Sequence, residues 1–115
     1  MVQKNTMKKK RESPIEINKK DFRKMGYQLI DRISDFIHTI DERQVTTGET
    51  PSQLQKILGT DPLPVNGTDP GKILSRATSL LIDHSLFNGH PRFLGYITSS
   101  AAPIGALADL LAAAV

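Results

Sequence analysis

Residues 21–42 read DFRKMGYQLIDRISDFIHTIDE. Within them Phe22, Met25, Leu29, Ile33, Phe36 and Ile40 recur every three or four positions, and Ile30 and Ile37 widen the same stripe. This spacing lines the apolar side chains along one side of a 3.6-residue helix, so the segment is predicted to be an amphipathic helix. Asn18 is its candidate amino-terminal cap, because a short side-chain amide can accept from a first-turn N–H. Lys19, Lys20, Arg23, Lys24, Asp31 and Arg32 fall on the outer face. The apolar stripe needs something to cover it.

Downstream the cap-then-proline signal occurs twice. Thr50-Pro51 opens a short helix with Leu54, Ile57 and Leu58 on one side, closed by Gly59. Asp69-Pro70 opens a longer one, whose Ile73, Leu74, Ala77, Leu80, Leu81, His84 and Phe87 are predicted to form one face down to Asn88-Gly89. This second stripe can pack on the first. Proline disfavours helical geometry in the residue before it, so His90-Pro91 ends the helical run and Arg92 to Thr98 is expected to be extended or irregular. Ser99 or Ser100 is then expected to cap a last helix, with Pro103 in its first turn. Ile104, Leu107, Leu110, Leu111 and Val115, among several alanines, make that helix apolar on nearly every side. Such a helix belongs inside something larger, and the chain is expected to be a piece of a longer protein.

Charge and composition narrow the classes of partner. The net charge is +3, yet Lys4, Lys8, Lys9, Lys10 and Arg11 less Glu12 carry +4 in the first twelve residues, which leaves ten basic against eleven acidic residues. Five cations without aromatics or a following recognition helix read as a solvated terminus, so no nucleic-acid partner is expected. The 115 residues contain no cysteine, which removes disulfides, thiolate nucleophiles and sulfur-ligated zinc. A cytoplasmic location fits. The apolar end from Ala101 to Val115 is shorter than the ~20 residues of a bilayer span and carries Asp109, so no membrane partner is expected. His38 and His84 lie on different helices, and no metal site is predicted.

The string from Asn88 to Leu111, NGHPRFLGYITSSAAPIGALADLL, carries a resemblance. It is similar to the amino-terminal region of the pyridoxal-phosphate-dependent (group II) amino-acid decarboxylases, above all those acting on aromatic amino acids. In them a His-Pro-x-Phe-x-x-Tyr run leads into a Leu-Ala-Asp helix; the matching positions are His90, Pro91, Phe93, Tyr96, Leu107, Ala108 and Asp109. Upstream, Phe22, Arg23, Gly26 and Asp31 resemble the family's opening Phe-Arg-x-x-Gly helix, and Glu42-Arg43-Gln44-Val45 its Arg-x-Val before a proline-containing loop.

The resemblance implies a mainly α segment: a basic disordered tail (1–17), an amino-terminal helical dimerisation segment (18–98), and the start of the large cofactor-binding domain of a fold-type-I enzyme (99–115). It implies a homodimer through the helices, pyridoxal 5'-phosphate as cofactor and an amino acid, a small-molecule substrate, as the compound acted on. The cofactor would supply the electron sink. Its attachment lysine, which follows a histidine in the family, is not expected here, since no His-Lys pair occurs. Tyr96, Ile97, Thr98 and Ser99 are then the candidate substrate-binding residues, and Ser99 the candidate cofactor-binding residue. Ile97 and Thr98 replace a Phe-Pro pair and Asn88 replaces a tryptophan, which leaves the substrate open. Plainer readings stand beside these: Tyr96 as a buried packing residue, Ser99 as a helix cap only, His90 as a structural residue. The alternative to a decarboxylase part is a non-catalytic helical interaction module, or a truncated paralogue, that pairs with a full-length enzyme.

Overall fold

The computed structural model describes Ser13 and residues 15–115, so the charge run of the amino-terminal tail lies outside the described residues. Among the described residues the chain is mainly helical, with no strand. Helix α1 spans Lys19–His38, a single 3-10 turn Ile40–Glu42, α2 Pro51–Leu58, α3 Pro70–His84 and α4 Pro103–Ala112.

The first three helices start where their caps require. Asn18 accepts from the Asp21 N–H at 2.9 Å. Thr50 and Gln53 satisfy each other's backbone donors in a reciprocal capping box. Asp69 accepts from the Lys72 N–H at 2.9 Å, with Pro70 behind it. Helix α1 stops short of the stripe that predicts it. The Thr39 hydroxyl bonds back to the Asp35 carbonyl at 2.7 Å, and its N–H is shared between the Asp35 and Phe36 carbonyls, so Ile40–Glu42 continues as a tighter turn.

Two ends differ from expectation. Helix α3 closes at His84 rather than at Asn88-Gly89, because Ser85 is extended and the Phe87 N–H donates to the Val45 carbonyl at 2.9 Å instead of to its own helix. A tertiary hydrogen bond has replaced a helical one. At α4 neither Ser99 nor Ser100 is the cap. Pro103 holds the preceding Ala102 extended, so the helix cannot begin before Pro103 and has no side-chain cap.

Helices α1 and α3 pack side by side, as their two stripes predict. The seam is close at its start: a Cβ on Gly71 would lie 3.6 Å from Met25 Sδ and 3.1 Å from the capping Asp69 Oδ1. Facing α1 are Gly71, Leu74 and Thr78, and Thr78 is buried with its hydroxyl returned to the Leu74 carbonyl at 2.7 Å. Ile73, Ala77 and Leu81 of the expected stripe are instead rotated outward and exposed. Farther along, the Phe36 and Phe87 rings meet at 5.0 Å, tilted by 57°.

This seam is the extent of the packing. No apolar side chain among the described residues is buried. The accessible surface is 10840 Å², against about 6200 Å² for a compact chain of this mass. Helix α4 is exposed along Ile104, Leu107, Leu110 and Leu111. Among the described residues no helix is long and apolar enough to cross a membrane.

Substituting Thr50→Ala removes one half of the capping box and is expected to destabilise α2 by about 1 kcal/mol. Faster amide exchange at Gln53 and Leu54, with Lys72 unchanged at the other capped start, is the measurement that checks it.

Candidate functional site

The residues that carry the family resemblance leave α3, double back and lead into α4. Their base is pinned on the segment that follows α1. Phe87 donates its N–H to Val45, and His90, 3% exposed, sits against the Arg43 backbone with Nε2 at 3.0 Å from the carbonyl oxygen. The other ring nitrogen, Nδ1, accepts the Arg92 N–H at 3.0 Å. Arg92 also reaches the same Arg43 carbonyl with its guanidinium, at 3.4 Å. His90 is therefore the structural residue that the plainer reading describes.

Beyond the base, the backbone turns through His90–Phe93, where the Phe93 N–H donates to the His90 carbonyl at 2.9 Å. Asn88 Nδ2 then donates to the Ser99 carbonyl at 3.0 Å, so the two ends of the loop are held together across eleven residues. Between these ties Leu94 and Tyr96 are 96% and 95% exposed, and Ile97, Thr98 and Ser99 are exposed beside them. Tyr96 is not the buried packing residue of the plainer reading. It stands on a left-handed backbone, φ 52°, the single non-glycine residue so held among those described. Such a conformation costs a side-chain-bearing residue about 1–2 kcal/mol, and sparsely populated geometry of this kind concentrates at functional sites.

The four candidate residues 96–99 thus form one continuous exposed ridge on a tied loop. They do not line either of two clefts near α1. The larger cleft, about 350 Å³, runs between α1 and α3 beside Met25, Leu29, Arg32, Leu74 and Ser79. A second, about 270 Å³, lies where Ile17 and Asn18 approach Pro70. Both are open grooves left by helix packing, and neither brings together groups suited to catalysis.

Two features went unforeseen. His84, which the sequence reading takes as part of the α3 stripe and not as a metal ligand, has its Nδ1 at 2.5 Å from Glu49 Oε1, a carboxylate 35 residues away. The Thr47 hydroxyl donates to the other carboxylate oxygen of Glu49. Thr47 above all, and His84 with it, hold the Glu49 carboxyl below the usual carboxylate range, while desolvation works against them. Arg43 has a buried Nε without a hydrogen-bond partner among the described residues, and its guanidinium lies 5.5 Å from the centre of the Phe36 ring. The only sequence signal for either was the Glu42–Val45 string, which marks the segment without giving it a role. No group of three or more metal-ligating side chains occurs among the described residues.

Comparison with known proteins bears on the same stretch. The chain is 26% identical over 98 residues to an aromatic-L-amino-acid decarboxylase of Bacillus atrophaeus, covering 85% of this chain and 20% of that protein. It is 26% identical over 97 residues to a phenylacetaldehyde synthase of Petunia hybrida, covering 84% of this chain and 19% of that one. The chain therefore spans about a fifth of the length of the curated relatives it matches. No protein-family model matches it, and no solved structure does so significantly.

Two outcomes are expected. Because folding lowers the Glu49 pKa, the carboxylate stabilises the fold above the ordinary carboxylate value, and that contribution disappears as pH falls through the lowered one. Acid titration followed by Phe87 amide exchange should show the contact of 45–49 with α3 loosening in that window, and Glu49→Gln should abolish the step. Tyr96→Gly relieves the left-handed strain and is expected to raise stability by up to about 1 kcal/mol, read from denaturant midpoints.

Proposed function

We propose that this chain is the amino-terminal part of a pyridoxal-phosphate-dependent amino-acid alpha-decarboxylase, contributing dimer contacts and a wall of the substrate pocket. The carrying observation is the ordered run His90, Pro91, Phe93, Tyr96, Leu107, Ala108 and Asp109. It lies in a chain similar to an aromatic-L-amino-acid decarboxylase and a phenylacetaldehyde synthase across most of its own length.

The exposed ridge supports this reading. A ring held outward on a strained backbone, as Tyr96 is, is suited to border a substrate side chain supplied from outside the chain. The Ser99 hydroxyl, four positions before the first residue of α4, is suited to the neighbourhood of a phosphate. The outward apolar residues of α1 and α3, Phe22, Tyr27, Ile73 and Leu81, and the open α4, are the surfaces we assign to the second subunit and to the large domain. In this reading 18–98 is the dimerisation segment and 99–115 opens the large domain.

The lysines among the described residues do not fit attachment of the cofactor. Lys19, Lys20, Lys24, Lys56 and Lys72 are all exposed on helices, whereas a lysine that works as a nucleophile at neutral pH needs desolvation or a neighbouring charge. The chain alone is therefore inactive in this reading. Its own residues contribute part of the pocket wall.

Incubating the 115 residues with pyridoxal phosphate should give no specific imine absorbance, and borohydride should trap no stoichiometric adduct. A single lysine labelled at one per chain would overturn the assignment of cofactor attachment to other residues. Reading the coding sequence past Val115 should reveal a His-Lys pair; an intact downstream frame without one would sink the decarboxylase reading.

A further inference from the structure

His90 is the most completely buried residue among those described, at 3% exposure, and no apolar residue among them is buried. Burial of an imidazole is costly unless both nitrogens are satisfied, and here each has one partner whose chemistry admits a single role. A carbonyl oxygen only accepts, so Nε2 carries the proton and donates to Arg43. A backbone N–H only donates, so Nδ1 is bare and accepts from Arg92. The two bonds do different things. That to Arg92 lies within the loop, two residues away, and shapes its first turn. That to Arg43 crosses 47 residues and ties the loop to the turn after α1.

We propose that His90 is a positioning residue: donation from its Nε2 to the Arg43 carbonyl fixes the base of the 88–99 loop and so sets where Tyr96 and Ser99 stand. Its significance for a pocket rests on the decarboxylase reading above; the tie itself does not. The surroundings agree. Phe87, just before the loop, is held to Val45 through its N–H and to Phe36 through its ring. A Cβ on Gly89 would come within 3.4 Å of Ser100 Cβ and 3.7 Å of Ile40 Cδ1, so the start of the loop lies close on its own exit and on the 3-10 turn. Removing the histidine donor leaves the Arg43 carbonyl with the longer Arg92 bond of 3.4 Å.

Two amide substitutions separate the two bonds, because glutamine places its NH₂ near the position of Nε2 and asparagine places its carbonyl oxygen near that of Nδ1. In the 115-residue chain, His90→Asn is expected to accelerate exchange of the Phe87 amide about tenfold and to lower backbone order across 94–98, while the Arg92 amide stays protected. His90→Gln should do the reverse, sparing Phe87 and residues 94–98 and exposing Arg92. The imidazole nitrogen shifts of the native chain should report the proton on Nε2. A proton on Nδ1, or loss of both amides together in both variants, or no change in either, would overturn the positioning role. Should His90→Asn fail to fold, the nitrogen shifts and His90→Gln still decide. No arm involves cofactor or substrate, so failure here and failure of the decarboxylase reading remain distinguishable.

Discussion

The Arg43 carbonyl is the point on which the arrangement of the carboxy-terminal half hangs. It follows α1 and its 3-10 turn, and accepts from the buried His90 ring and from the Arg92 guanidinium. Together with the Val45–Phe87 backbone bond and the Glu49–His84 contact, it lays residues 43–49 along the exit of α3. The helical pair α1 and α3 would pack through their stripes without these ties. The loop beyond α3 would have no fixed relation to them.

These ties are polar because apolar cover is scarce. Phe36 and Phe87 meet only half-buried, and the side chains of α4 stand open. A polar bond shielded from water holds more strongly than an exposed one, so the protected patch under His90 does more per contact than the exposed helix faces can. The exposed apolar side chains of α3 and α4 are the surfaces that the proposed function assigns to a second subunit and to the large domain. The same economy explains Tyr96. Its ring is turned outward at a cost in backbone strain, on a loop whose base is tied at Val45 and Arg43.

Much of this was legible in the residues. The α1 stripe, the Asn18, Thr50 and Asp69 caps and the prolines at 51, 70 and 103 marked the four helices, since each signal is local and acts within one turn. The candidate residues 96–99 were legible as a motif but not as a shape. Motif spacing says nothing of exposure, and periodicity assigned Ile73, Ala77 and Leu81 to a covered stripe that the α1 contact left outside. The Ser99 cap was misplaced for a local reason that was present to be read: Pro103 forbids a helical Ala102.

What the sequence by itself determined, then, was where α1, α2 and α3 begin and which side chains of α1 share a face, because capping and periodicity are settled by neighbours three or four positions away. Only the tertiary structure decided where α3 stops, which carboxylate meets His84, which way the α3 stripe turns and that His90 is the buried tie. Those outcomes depend on groups 35 to 47 residues apart, and pairing across such distances follows from chain packing that no local pattern encodes.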